Sequence, residues 1–474
     1  MNPFKGHPAE LRRLFFIEMW ERFSYFGLAS LLVLFMTSGK TEGGLGWSNH
    51  NAMVVKGAYG SGIYLLAIPC SMLADRWFGA ATAVLLGGVL ILAGHVTLAL
   101  PLGEGFILGL ILVAIGTSFL KPSIGGLVGD LYKGRFSQDK KAGMALFYMS
   151  ISLGGLLGPF VLGYLRTSTF VTPYLGWHVA FGAAAIGMGF ALCLFVGFWR
   201  TATRTPVTGR GSASSLVWSF VGAFGLLWLF VWGTDRPALV WALYGLIPVF
   251  AFYYAMRGDR KKEAVWLVML IISTLVSVVV GQMVSGMILV IKENVDPAIF
   301  GWVFPVEYFA GIFSGFIILL SWIFGTMQGA RADTVNYRHS FTVGAVFVAI
   351  AIGIIGLALE LSGGAKISAW VIIGSYAFKA AAEVLIIPTA LALMHDVSVA
   401  EEKSLTMAIW YLGAGLGVNM AKMLGLSMGS GPADQGAFFL WEAAAAGLFA
   451  LILWMVGRWL AKTVSEIRLA QASA

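Results

Sequence analysis

Apolar runs of membrane-spanning length recur along this chain at short intervals, and no other feature narrows the possible folds as much. About 20 apolar residues carry a helix across a bilayer core. Such runs read at 12–37, 51–74, 79–100, 104–129, 142–166 and 176–199, then at 214–233 and 237–256, then at 264–291, 298–327, 340–361, 367–395, 402–428 and 435–460. In lipid every backbone amide must be satisfied within the chain, so each run is expected to be a helix. Of the 474 residues, 59% are hydrophobic and 11% charged, against about 25% charged in soluble domains. The expectation is an all-α integral membrane protein with 14 transmembrane helices.

Two basic stretches divide the runs into six, two and six. The first is "WRTATRTPVTGRGSAS" and the second "RGDRKKE" (Arg257–Glu263). The units are therefore 1–200, a six-helix bundle; 201–262, linkers and two extra helices; and 263–474, a second six-helix bundle. Basic residues gather in alternate connections: Lys5, Arg12 and Arg13; Arg76; Lys133, Arg135, Lys140 and Lys141; Arg200, Arg204 and Arg210; Arg331 and Arg338; Arg458 and Lys462. The positive-inside rule then places both termini in the cytoplasm. It also accounts for the net charge of +8, so no nucleic-acid partner is expected. Cys70 and Cys193 both lie in apolar runs, which argues against a disulfide framework or a zinc site. No cleavable leader is expected, because Glu18, Glu21 and Arg22 interrupt its only candidate core. Two six-helix halves suggest a transporter with its substrate site between them near the midplane.

Ionisable side chains inside spans usually face a cavity and a partner. Glu18, Glu21 and Arg22 are spaced three and four apart, so they share one face of a helix. Two carboxylates beside one guanidinium leave one acid uncompensated. Burial and the like-charged neighbour both disfavour its ionised form, so it can take up a proton. Lys121 lies well inside the fourth run, just before Pro122. It can neutralise the spare carboxylate or bind an anionic substrate group. It is too deep to snorkel to Asp130, since nine helical residues span roughly 13 Å. Lys379 and Glu383, four apart, either pair internally or each present a charge to the cavity. Glu307 is an intramembrane acid in "VFPVEYF". His95 is expected to hydrogen-bond to a neighbour. Asp75 and Arg76, in the turn "LADRWFGA", suit a gate: an Asp there can meet an Arg or a helix N-terminus across the cytoplasmic face.

Several of these stretches resemble the signatures of one family. "EMWERFSYFG" (Glu18–Gly27) resembles the ExxERFxYYG motif of the proton-dependent oligopeptide transporters, the POT/PTR family of the major facilitator superfamily. "ADRWFGA…GGVLILAGHVTLALP", "FLKPSI", "FYMSISLGGLLGP" and "EVLIIPTALAL" are similar to further motifs of that family. The likeness runs over nearly the whole chain and is tighter in the first half. It implies the major facilitator fold, with two six-helix bundles and two extra helices between them, as in a bacterial member. It implies that Glu18, Glu21, Arg22 and Lys121 couple protons to the transport cycle. Lys121 would also receive a peptide carboxylate and Glu383 its amino terminus, with Tyr25, Tyr64 and Trp410 as pocket aromatics.

The departures from the family pattern bear on the substrate. Ala29 stands in place of an arginine, Phe26 of a tyrosine and Ser152 of an asparagine. Val280 and Gly281, before Gln282, replace an acidic pair, and Phe304 replaces an asparagine. Lys379 and Glu307 are charges the pattern lacks. The expected pocket set is Tyr25, Tyr64, Lys121, Ser152, Gln282, Glu307, Lys379, Glu383 and Trp410. The expected function is a proton-coupled symporter importing di-/tripeptides or peptide-like compounds, acting as a monomer in a bacterial inner membrane. No cofactor or metal is expected besides the coupling proton. The alternative is a proton-driven antiporter exporting amphipathic drugs or metabolites. An intramembrane enzyme is disfavoured, because no His/Cys/Asp cluster supplies a nucleophile with its base or a set of metal ligands.

Overall fold

The computed structural model describes residues 3–473 apart from 102–104, 136, 168–172, 200–212, 233–259, 304–305, 327–335, 400–401 and 426–430. Thirteen α-helices lie among the described residues: α1 (Ala9–Thr37), α2 (Asn49–Leu73), α3 (Ala80–Ala99), α4 (Gly105–Asp130), α5 (Ser137–Thr167), α6 (Pro173–Trp199), α7 (Ala213–Trp232), α8 (Lys261–Asn294), α9 (Val306–Thr326), α10 (Tyr337–Leu361), α11 (Ala369–Val397), α12 (Lys403–Gly425) and α13 (Pro432–Ser473). Nine stretches among the described residues are long and apolar enough to cross a membrane. The run at 237–256 lies outside the described residues. α1 is not among the nine, and its internal charges are the reason.

Local chemistry sets several boundaries. Ser48, Ser368 and Asn336 cap α2, α11 and α10, their side chains accepting from Asn51 N, Trp370 N and His339 N. Such caps satisfy amides that a helix start leaves unpaired. In the run read from 298, the described helix is Val306–Thr326, and 298–303 are not helical. Before it, Ala298–Ile299 pairs antiparallel with Trp302–Val303, and the turn between them holds Phe300 at φ 51° and Gly301 at φ 80°. Pro297 and Pro305 disfavour helical geometry in the residue before each, which works against a helix through 298–303. Val295–Asp296 also pairs in parallel with Ile367–Ser368. At the other extreme α13 runs past 460 to Ser473, where Glu466 meets Lys261 at 2.7 Å.

The helices pack in two groups. α1 lies against α5 and α6, α3 against α4 and α6, and α2 against α4. In the other group α8 lies against α12, α10 against α11 and α13, and α9 against α11. The groups meet where α2 packs on α12 and where α5 packs on α9 and α11. α7 rests on α2 and exposes Trp218, Phe224 and Trp228. Apolar faces of this kind are expensive in water and stable in lipid. Gly154 and Gly158 bring α5 onto α1: a Cβ on Gly154 would strike the Met19 carbonyl, and one on Gly158 the Phe23 carbonyl. Small residues four apart allow this approach between membrane helices, and it sets α5 directly behind the charged face of α1.

Candidate functional site

Glu18, Glu21 and Arg22 are buried on α1, at 1%, 0% and 0% exposure. Arg22 Nε donates to Glu21 Oε2 and lies 3.3 Å from Glu18 Oε1. The guanidinium stands 4.8 Å from the centre of the Tyr25 ring. Glu18 Oε2, Glu21 Oε1 and Arg22 Nη1 and Nη2 have no hydrogen-bond partner among the described residues. Each unmade bond at a buried polar atom costs about 1–3 kcal/mol. The cluster therefore has both donors and acceptors to offer an incoming group.

Lys121 reaches the same region from α4. Its ammonium lies 5.6 Å from the Tyr64 ring centre on α2 and 5.0 Å from that of Tyr411 on α12. Among the described residues it makes no ion pair with Glu18 or Glu21, so the expected pairing with the span-one motif is not made in this conformation. Two tyrosine faces, one from each helix group, attract the cation instead. With Lys121 counted, two acids face two cations.

A second charged centre lies on α11. Lys379 and Glu383 are both buried, with Nζ 3.6 Å from Oε1. Tyr148 of α5 donates to Glu383 Oε2 at 2.5 Å, so this acid is bonded across the two groups. The Lys379 ammonium stands 3.9 Å over the Phe313 ring of α9. Val276, Val279, Val348, Ala382 and Ile386 line the small void beside the pair. Trp410 on α12 is buried, its carbonyl accepting from Ser273 at 2.6 Å. Ser152 is buried on α5 one turn past Tyr148. Gln282 and Glu307 fall on α8 and α9, with side chains outside the described residues.

A third cluster closes the end of the helix array near the N-terminus. A π turn, Ala74–Phe78, carries Asp75 off the end of α2 and stops at Gly79, whose φ of 77° favours glycine. Asp75 accepts from Ser404 N at 3.0 Å and Leu405 N at 2.8 Å, at the start of α12. Of the two partners open to it, an Arg or a helix N-terminus, it meets the helix N-terminus. Arg76 turns away and donates to Ser215 of α7 at 2.9 Å. Asp130 takes Lys403 on both oxygens at 2.8 Å and His395 Nε2 at 3.1 Å. Lys140 bonds Asp396, whose other oxygen accepts from Tyr337 at 2.9 Å.

Sequence reading missed Tyr148, Phe313, Tyr411, His395 and Asp396. Tyr148 sits four residues before Ser152 and Tyr411 beside Trp410, which are weak signals. Phe313 lies in an unbroken apolar stretch and gives none. His95 corrects an expectation: it is fully buried, and neither ring nitrogen has a hydrogen-bond partner among the described residues. Its neighbours on α4 and α6 present mostly apolar side chains.

Known proteins resemble the chain along most of its length. The POT family model (PTR2) matches residues 81–224. The chain is 30% identical over 468 residues to the peptide transporter YePEPT of Yersinia enterocolitica, covering 91% of this chain and 89% of that one. It is 28% identical over 443 residues to the di-/tripeptide transporter of Lactococcus lactis subsp. cremoris, covering 86% and 87%. A mutant of peptide transporter POT in complex with alafosfalin matches with a TM-score of 0.71 at 28% identity, over 97% of this chain and 96% of that chain. A POT family transporter in complex with a thioalcohol conjugated peptide matches with a TM-score of 0.71 at 26% identity, over 96% and 98%.

Proposed function

The chain belongs to the POT family, and from that premise we propose a proton-coupled symporter that imports di-/tripeptides or peptide-like compounds by alternating access. It is a multi-pass transporter rather than an enzyme. Its architecture is read as a major facilitator fold with 14 spans. Residues 1–200 and 263–474 are the two bundles, and 201–262 holds the linkers and extra helices. It works as a monomer in the bilayer of a bacterial inner membrane, with both termini cytoplasmic and the proton as its only coupling ion.

One observation carries this reading. A buried set of two carboxylates and one guanidinium has four polar atoms without hydrogen-bond partners among the described residues, beside a lysine that faces tyrosines from both helix groups. The roles follow from charge. A substrate carboxylate engages Lys121 and neutralises its charge, which removes the compensation Lys121 lends the nearby acids and favours proton uptake by Glu18 or Glu21. Tyr25, Tyr64 and Trp410 are assigned as pocket aromatics, and Ser152, Gln282, Glu307, Lys379 and Glu383 as further substrate contacts. Asp75 and Arg76 belong to the gate, and the ion pairs around Asp130 and Asp396 must part before the pocket opens to the cytoplasm.

Glu21→Gln tests the coupling. In liposomes with an imposed inward proton gradient, the variant is expected to lose proton-driven accumulation and keep substrate exchange at equal pH. Accumulation matching that of the unmodified protein refutes the assignment.

A further inference from the structure

The Lys379–Glu383 centre has the make-up of an ammonium site that the protein has filled for itself. A carboxylate together with an aromatic face is what recognises a buried ammonium group. Here Glu383 supplies the carboxylate, Phe313 the face, and the ammonium between them belongs to Lys379. The ion pair does not explain the seat. Lysine four residues before glutamate is the weaker order on a helix, and 3.6 Å exceeds a hydrogen bond. Phe313, at 3.9 Å from the cation, is what holds it there. Glu383 Oε2 is taken by Tyr148, while Oε1 has no hydrogen-bond partner among the described residues and faces only the Lys379 ammonium, so the charge of Glu383 is already compensated. The surrounding void is lined by Val276, Val279, Val348, Ala382 and Ile386, none of which can stabilise a second cation. An amino terminus entering here would bring two positive groups to one carboxylate in apolar surroundings, which like-charge repulsion and desolvation both oppose.

We infer that Lys379 is a specificity-determining residue, set so that the protein accepts peptide-like substrates with an uncharged, acylated amino end as readily as those with a free amine. This rests on the symporter reading and narrows it: the carboxylate end of the substrate remains the recognised charge, while the amino end meets an apolar wall. Lysine at this position replaces the attraction that a lone Glu383 would exert on a substrate amine.

The experiment compares uptake of alanyl-alanine and N-acetyl-alanyl-alanine by the reconstituted full-length protein and by Lys379→Met, under an inward proton gradient. The unmodified protein is expected to take up the two with similar KM. Lys379→Met frees Glu383 and shifts the KM ratio toward the free amine by about tenfold, the scale of one charge-assisted contact. A ratio unchanged by Lys379→Met overturns the inference and leaves peptide transport standing. Uptake of neither peptide by either protein removes the symporter reading and the inference with it. Should the variant fail to assemble, the unmodified protein decides: a free-amine preference above about tenfold overturns the inference, and parity supports it.

Discussion

Asp130 and Glu21 are both buried acids facing basic side chains, yet their surroundings differ in completeness. Both oxygens of Asp130 are engaged, by Lys403, His395 and Lys133. Asp396 and Asp75 are likewise bonded through both oxygens. Among the described residues Glu21 and Glu18 each keep an oxygen without a hydrogen bond, and Arg22 keeps both terminal nitrogens. A satisfied buried network is costly to break, because removing one partner strands a charge. A partly satisfied one changes partners easily, since a proton or a substrate group gains bonds that were not being made. The end cluster is therefore built to hold one arrangement and the interior cluster to respond. Coupling them needs occupancy inside to offset the cost of opening the end. Moving such an equilibrium from 1:99 to 99:1 takes about 5.5 kcal/mol of differential binding.

The sharpest way to break this contrast is to stop the end from opening. Ser123 and Ser404 face each other across the helix groups with Oγ atoms 3.4 Å apart. Cysteines at both positions, in a background lacking Cys70 and Cys193, are expected to bridge on oxidation and abolish transport, with recovery on reduction. Substrate binding measured by thermal stabilisation should survive the bridge. Continued transport through the bridged protein would show that this end does not open in the cycle. Next in size is Asp130→Ala, which leaves Lys403, Lys133 and His395 facing one another. Removing one side of a buried pair costs about 3–5 kcal/mol, so a marked fall in the unfolding midpoint is expected. A midpoint like that of the unmodified protein would show that the end cluster does not hold the closed arrangement. Tyr148→Phe is smaller: it removes one hydrogen bond to a charged acceptor, worth about 1.5–3 kcal/mol. By freeing Glu383 Oε2 it should lower the KM of a free-amine peptide relative to its N-acetyl form, and an effect on stability alone would place Tyr148 with the holding contacts.

The two regions also differ in how far the sequence discloses them. The helices were legible because apolar runs of about bilayer length became helices where the described residues cover them. The α1 cluster was legible because its partners lie three and four residues apart, within the reach of a local rule. The Lys379–Glu383 pair was open to the same rule, but the contacts made between helices were not. Tyr64 and Tyr411 meet Lys121 only because α2 and α12 pack together, and Phe313 reaches Lys379 from another helix. The end cluster was harder still: Asp130 and His395 are 265 residues apart, and neither position hints at the other. Asp75 was legible only in part: an acid after a span end suits an Arg or a helix N-terminus, and the sequence did not choose between them. The missed turn at 298–303 and the unpartnered His95 share one cause: local hydrophobicity outweighed the meaning of single residues.

The smallest predicted effect is at Asp75, where the contrast can be tuned without being destroyed. Its two oxygens cap Ser404 N and Leu405 N, amides that the start of α12 leaves without helical partners. Asp75→Asn keeps one acceptor and removes the charge, so the loss is a fraction of a full cap plus the macrodipole contribution, about 1 kcal/mol together. That is too little to unfold the protein and enough to shift a balanced equilibrium roughly fivefold. The expected result is a small drop in the unfolding midpoint with faster labelling of a cysteine placed at Ser123, which the closed end buries. The same substitution should leave the proton dependence of uptake unchanged, because Asp75 touches neither Glu18 nor Glu21. A shift in that dependence would mean that the holding and responding clusters are not separable, and that the end contributes directly to proton binding.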